Sequence, residues 1–424
     1  MKLSSRSSAD AGRQISADGS VLIIVLLVSL GLVSVTLLFA HSMVMSLRGS
    51  DNDLAGHQAE EAIEGAARYA QLLMTNVEKP GTFPDIITYD SEELPVGEAS
   101  VWFIGQNPLP DTDTVPVFGL VDEAGKLNLN ATTTTKEMLE ALPGMTVELA
   151  AAIIDWRDTD SDVTQNGAES ETYLRKQPAY ECKNADFESV QELALLNGAD
   201  PLVLYGEDAN LNGVLDPNED DGDKSAPPDN SDGKLDPGIL AYVTVFSREP
   251  NTQSDGSTPR VLVTNPNTAV RDLLRDTFGE SRAEAIMDRL AGGSAGGGAR
   301  FNSTLQFFMS SGMTADEFAQ ISDSITTSSE PFVTGLINVN TASEAVLATI
   351  PGIGDKASSL VAARLSRAQQ DTNIAWVVDV LGEEGVTQAG RYLTGRSYQV
   401  SADIAAVGRH GRGYRRTRFV IDSS

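Results

Sequence analysis

The residues with the clearest chemistry run from Asp208 to Glu219, Asp-Ala-Asn-Leu-Asn-Gly-Val-Leu-Asp-Pro-Asn-Glu. Asp208, Asn210, Asn212, Asp216 and Glu219 place side-chain oxygens at loop positions 1, 3, 5, 9 and 12, and Gly213 stands at position 6. That is the spacing of an EF-hand-type loop, which turns the chain round one hard cation. Gly213 permits the sharp bend, Val214 offers its backbone carbonyl, and Glu219 can bind through both oxygens. The spacing predicts calcium. Pro217 and the lack of a clear helix after Glu219 point to a structural ion rather than a helix-loop-helix sensor.

Asp220, Asp221, Asp223, Asn230, Asp232 and Asp236 crowd the same stretch. The run from Asn230 to Asp236 repeats part of the first pattern and suggests a second calcium. Its first-position residue is Pro228, which cannot serve, so a donor must come from elsewhere. Asp158, Asp160, Asp162 and Glu169 match positions 1, 3, 5 and 12 but lack the glycine at 6. They rank third. Catalysis finds no comparable pattern: His41, His57 and His410 lie in a stalk or a turn, and no G-x-S-x-G, H-E-x-x-H or phosphate loop occurs. Cys182 is the single cysteine, so no intramolecular disulfide forms. The reading is of a protein that is not an enzyme.

The elements that position these residues begin at an uncharged run from Ser20 to Ala40, which follows Lys2, Arg6, Arg13 and Gly19. At about 1.5 Å per helical residue this run spans a hydrocarbon core of about 30 Å. An apolar run starting directly after a glycine predicts cleavage between Gly19 and Ser20, with residues 1–19 a leader and 20–40 a transmembrane helix. Ala40-His41-Ser42 mimics an ordinary signal-peptide site, but the helical pattern continues past it. A simple signal anchor is the alternative. The basic flank orients the bulk of the chain outside the inner membrane. Leu47, Leu54, Ala55, Gln58, Ala59, Ala62, Ile63, Ala66, Ala67, Ala70 and Leu73 then recur at spacings of three and four, a stripe of mostly small residues.

Beyond the stalk, strands are predicted at Val101–Ile104 and Val115–Val121, and again at Tyr398–Val407 and Tyr414–Ile421. Helices are predicted at Lys136–Leu142, Val147–Arg157, Ser189–Leu196, Val270–Leu290, Thr314–Ser322 and Ala342–Arg367, with a glycine-rich loop at 291–298. A sheet opened early and completed late makes the helical block an insertion: stalk and first strands over 41–126, insert over 127–370, closing strands over 371–424. The fold class is α+β. Leu127–Asn130 with the Leu142-Pro-Gly-Met145 turn, and Ile337–Asn340 with the Ile350-Pro-Gly-Ile-Gly354 turn, form an internal repeat of helix-hairpin-helix type. Sixty acidic against 31 basic residues give a net charge of −29, which disfavours nucleic acid and suits cations and basic partner surfaces.

These features together resemble the K-type minor pseudopilin of type II secretion. The resemblance rests on Gly19–Ser20, Gly125-Lys-Leu-Asn-Leu-Asn130, Ile153-Ile-Asp-Trp-Arg-Asp158, Gly167-Ala-Glu169 with Tyr173, Phe187–Leu193, and Ile337-Asn-Val-Asn-Thr-Ala342. Ile24 stands at the fifth mature position, where most pilin-like subunits carry glutamate. The resemblance implies a pilin-type domain with a bulky helical insert holding two calcium ions. It also implies a subunit that caps the pseudopilus tip with I- and J-type minor pseudopilins, initiates assembly and supports export of folded proteins. Other pseudopilus and inner-membrane platform components and prepilin peptidase follow as partners. A minor type IV pilus subunit and a membrane-tethered DNA receptor are the alternative readings.

Overall fold

A computed structural model describes residues 17–106, 117–292, 300–367 and 371–424. Proline is absent from 17 to 75, and one continuous helix, Ala17–Thr75, occupies that stretch. Residues 21–50 are exposed all round. Below them Ala55, Ala59, Ala62, Ile63, Ala66, Ala70 and Met74 are buried on one face. Small side chains there let the helix lie close on a sheet. Leu47 and Leu54, expected on the same stripe, are exposed, because the sheet reaches up only as far as Ala55.

The sheet orders its strands Leu94–Val96, Ala99–Phe103, Gln399–Gly408 and Arg412–Asp422, with Val121–Asp122 also paired to the third. Pairing is antiparallel throughout; Ile404 faces Phe103 and Val400 faces Asp122. The central strand alternates polar and apolar residues from Gln399 to Ile404. Val400, Ala402, Ile404 and Ala406 pack under the long helix with Val101 and Phe103. Gln399, Ser401 and Asp403 point the other way and are buried as well. A period of two thus puts apolar side chains on the helix side and polar ones toward the rest of the molecule. Of the predicted strand Val115–Val121, only Val121 joins the sheet, Phe118 makes an isolated bridge to Ile104, and residues 115–116 lie outside the described part.

Between the early and late strands sits the helical block. Val147–Arg157 forms where its pattern predicted, capped by the Thr146 side chain. The expected helix Val270–Leu290 is two helices, Thr268–Phe278 and Glu280–Gly292, because Gly279 turns the chain at φ +81°. Ser189–Leu196 is a 3₁₀ segment, Val190–Leu195, and Ala342–Arg367 divides into Glu344–Ala348 and Ala357–Arg364. Helices with no counterpart in the sequence reading are Ser170–Tyr173, Pro201–Tyr205, Thr304–Ser311 and Val377–Ala389, the last interrupted by a kink at Gly382, whose φ is +69°. The glycine-rich loop at 291–298 falls mostly outside the described residues.

The internal repeat is structural. Leu127–Asn128 pairs in parallel with Val243–Thr244, and Ile337–Asn338 with Leu393–Thr394. Each copy then places two helices around a Pro-Gly turn, with Gly144 at φ +72° and Gly352 at φ +86°. In each, the last arginine of the second helix reaches back to the carbonyls after the strand: Arg157 donates to Leu129, Ala131 and Thr134, and Arg364 to Val339 and Ala342. Kinship of these pairs to helix-hairpin-helix modules rests on the sequence pattern alone. The basic residues nearest the second turn are engaged internally. Lys356 donates to the Leu381 carbonyl and the Arg367 guanidinium lies 5.2 Å over the Trp376 ring.

Candidate functional site

The loop from Asp208 to Glu219 folds onto itself as its spacing requires. Asp208 is buried, and its two oxygens accept from the Asn212 and Gly213 amides at 2.9 Å each. Asn210 Oδ1 accepts from Asn212 N, and Asn212 Oδ1 from Val214 N. Leu211 and Gly213 take φ of +56° and +68°, the two left-handed steps that wind the loop. The Asn210 and Asn212 amide groups both donate to Asp216 Oδ2. Glu219 is 1% exposed; one oxygen accepts from Asp216 N at 3.0 Å and the other, Oε1, has no partner.

The second loop is a hydrogen-bond copy of the first. Asn230 Oδ1 accepts from Asp232 N, Asp232 Oδ1 from Lys234 N, and Asn230 Nδ2 donates to Asp236 Oδ2 at 2.9 Å. Ser231 and Gly233 repeat the φ pair at +54° and +76°. Asp220 stands to this loop as Asp208 does to the first: its Oδ1 accepts from Gly233 N at 3.1 Å, as Asp208 accepts from Gly213 N. The part of Glu219 is taken by Glu207, which accepts from Asp236 N at 2.9 Å. Two acidic dipeptides, Glu207-Asp208 and Glu219-Asp220, therefore each serve both loops. Spacing within either loop could not reveal this exchange; the recurrence of Glu-Asp twelve residues apart was the available signal. Asp221 instead accepts from Ser225, Asp229 accepts from the Asp221 and Gly222 amides, and Asp223 is exposed.

Burial pushes the carboxyls of Asp208, Glu219 and Glu207 above the ordinary range, and for Glu219 the charges of Asp208 and Asp216 add to it. Among the described residues no three His, Cys, Asp or Glu side chains close into a ready-made metal cage. The loops also depend on asparagine and backbone oxygens. Arg416 ties the first loop to the sheet, donating to the Asn210 and Leu211 carbonyls at 2.6 Å and to Asp403. A cavity of about 610 Å³ lies between loop and sheet, bordered by Leu120, Asp208, Leu211, Ser343 and Asp403.

The remaining motif residues meet elsewhere. Trp156 packs edge-on to Tyr173 and donates to Glu192; Asn130 exchanges hydrogen bonds with the Phe187 backbone; Arg157 grips the carbonyls beyond Leu127–Asn128. Asp160 and Asp162 are exposed, while Glu169 is buried. Burial pushes the Cys182 thiol up to about 11, so it stays protonated and packs as an apolar group. Residues 117–205, which hold this unit, match the family model described as type II secretion system (T2SS), protein K. A curated relative, type II secretion system protein K of Klebsiella pneumoniae, is 41% identical over 69 residues. Those residues are 16% of this chain and 21% of that protein, so the match spans about a fifth of the relative's length. The solved GspK-GspI-GspJ complex of enterotoxigenic Escherichia coli superposes with a TM-score of 0.39 at 10% identity, over 89% of this chain and 100% of that one. Among the described residues, one helix is long and apolar enough to cross a membrane.

Proposed function

We propose that this protein is a minor pseudopilin of the K type, a non-enzymatic subunit at the tip of the type II secretion pseudopilus. One observation carries the reading: the segment 117–205, which matches the protein K model, lies between the early and late strands of a sheet packed under a long helix whose upper half is apolar and exposed. On this reading prepilin peptidase cuts between Gly19 and Ser20, and the helix anchors the protein once in the inner membrane with its bulk periplasmic. I- and J-type minor pseudopilins are its partners in starting assembly for protein export. The insert, too wide for mid-filament packing, belongs at the end. The engagement of Lys356 and Arg367 within the fold speaks against a DNA receptor.

Calcium belongs to the same proposal. The buried, unpartnered Glu219 Oε1 fits a cation, which would offset a desolvated carboxylate. Asp208, Asn210, Asn212, Asp216, Glu219 and the Val214 carbonyl would hold one ion. Asp220, Asn230, Asp232, Asp236 and Glu207 would hold another. Each ion would supply structural cross-linking of the acidic loops. The full chain in detergent, mixed with I- and J-type minor pseudopilins with and without calcium, is expected to co-purify as a ternary complex. Failure to do so in either condition overturns the tip reading. Asp208→Ala with Glu219→Ala is expected to lower the melting temperature only when calcium is present; equal melting of mutant and wild type in calcium and in chelator removes the first site.

A further inference from the structure

The exposed apolar side chains of the long helix do not stop at Ala40. Met43, Val44, Met45 and Leu47 continue them, and the first charged residue after Gly19 is Arg48. The C-terminal hairpin rises to this level beside the helix. Gly408, which ends the strand Gln399–Gly408, lies so close to Ala55 that an added Cβ would fall 2.2 Å from the carbonyl oxygen. On the returning strand, Arg412 pairs with Asp51 at 2.6 Å and Arg415 with Glu60 at 2.9 Å. Strand and helix therefore descend together, and the turn Arg409–Gly411 is the top of the hairpin. Arg48 is two turns above Ala55 and so on the helix face that meets the hairpin. It stands only three residues before Asp51, a rise of about 4.5 Å. Arg48, Arg409, His410 and Arg412 thus form one tier directly below the apolar length.

The tier is cationic in an otherwise acidic chain. From Gly408 to Arg418 the hairpin carries Arg409, His410, Arg412, Arg415, Arg416 and Arg418 and no acid, against a net charge of −29 for the whole. The lower arginines are occupied, Arg415 by Glu60, and Arg416 and Arg418 by Asp403. The upper ones are less so. Arg409 meets His410 Nε2 at 3.2 Å while its own Nε has no partner, and among the described residues neither Arg409 nor Arg48 pairs with a carboxylate. Arg412 spends Nη1 on Asp51 in a pair open to solvent on both sides. Asp53, also exposed, is the next acid down the helix. Tyr414, 58% exposed, adds an amphipathic ring of the kind that favours the membrane boundary. Basic residues are ordinarily scarcer on the outer flank of a span than on the inner one, so free arginines here need an anion. With the apolar length in a bilayer, the anions within reach are lipid phosphates. A planar guanidinium takes two phosphate oxygens at once, and its attraction to a charged surface extends about 10 Å at 0.1 M salt.

We propose that Arg48, Arg409 and Arg412 bind the phosphate groups of anionic phospholipids, seating the hairpin tip on the outer face of the membrane. The proposal rests on the reading of the apolar length as a membrane anchor. The test places the full chain, and its Arg48→Gln, Arg409→Gln variant, in nanodiscs of phosphatidylcholine alone or mixed equally with phosphatidylglycerol. Amide exchange over 405–418 is followed by mass spectrometry. Phosphatidylglycerol is expected to slow exchange at the hairpin tip of the wild type, an effect that raised salt removes. Each arginine should contribute about fivefold in headgroup affinity. The variant should lose the slowing while matching wild type in phosphatidylcholine. Equal exchange of wild type in the two lipids overturns the site, as does a variant that keeps the slowing. Inorganic phosphate that slows exchange equally in phosphatidylcholine discs overturns the lipid assignment in favour of free phosphate. Where Arg409→Gln loosens the hairpin in both lipids, Arg48→Gln alone decides, and undiminished slowing in it overturns the site. A chain that enters discs of neither composition overturns the anchor reading and the site with it, whereas entry without lipid-dependent slowing overturns the site alone.

Discussion

Arg416 shows how one side chain joins separate parts of the chain. It forms a two-point pair with Asp403 on the neighbouring strand, at 2.8 and 2.9 Å, while holding two carbonyls of the first acidic loop. Arg418 adds two more bonds to Asp403, at 2.7 and 3.0 Å. Burial alone would raise the Asp403 carboxyl, but the two guanidinium groups outweigh it and hold the group below the ordinary range. A carboxyl depressed in the folded state stabilises above its unfolded pKa of about 3.9, and that stability is lost as pH falls through the folded value. Asp403→Asn is therefore expected to cost about 3 kcal/mol at pH 7, because it leaves two cations against a buried amide. It should also flatten the loss of stability below about pH 4. Urea denaturation at pH 7 and pH 3 checks both; equal pH dependence in mutant and wild type refutes the assignment. If the first acidic loop holds calcium as proposed above, Arg416→Ala should also shrink the difference in melting temperature between calcium and chelator, because it frees the loop carbonyls from the sheet.

Among the elements, the C-terminal hairpin and the long helix meet through glycine. At Gly413, φ is +67°, and an added Cβ would sit 2.3 Å from Ala55 C and Gly56 N; at Gly408 it would sit 2.2 Å from the Ala55 carbonyl oxygen. Gly97, in the first hairpin turn, has φ +62° with open space around it. Gly97→Ala is thus expected to cost the left-handed strain alone, about 1–2 kcal/mol. Gly413→Ala adds a backbone clash and should cost at least about 2 kcal/mol more. Thermal melting of the two variants separates strain from contact, and equal losses would show that helix and hairpin are not clamped there. Much at this scale was legible in the sequence. The proline-free run read as one helix, and Val400, Ala402, Ile404 and Ala406 alternate as a half-covered strand must. The break at Gly279 was hidden because apolar spacing continues across it. The helical segment Val377–Ala389 was hidden because Gly382 kinks it at φ +69° and, with Gly385, dilutes its pattern, while tertiary burial of Val377, Leu381 and Val386 sustains it. In the acidic loops the hydrogen-bonded winding of the first follows its spacing. In the second, Asp220 is among the residues the sequence reading named, whereas Glu207, which accepts from Asp236 N, precedes the whole acidic stretch and was not.

For the molecule as a whole, burial divides the long helix into two lengths. Residues 21–50 are exposed all round, while tertiary attachment begins with the Arg412–Asp51 ion pair at 2.6 Å and the close packing of Ala55 and Gly56 on the hairpin. From Ala55 to Met74 the helix covers Val101, Phe103, Val400, Ala402, Ile404 and Ala406, the apolar side of the sheet. Folding of the remainder should therefore be indifferent to everything above the junction and intolerant of cuts below it. A chain beginning at residue 46 is expected to melt at the same temperature as the full chain in detergent, and without needing detergent. A chain beginning at residue 64 loses Ala55, Ala59, Ala62 and Ile63 from that interface, leaves the upper part of the sheet uncovered, and should melt far lower or aggregate through it. Circular dichroism melts with light scattering on the two truncations distinguish these outcomes. If the first truncation melts substantially lower, the exposed length contributes to folding and is more than an anchor. If the second melts like the first, the small-residue stripe is not what holds the sheet.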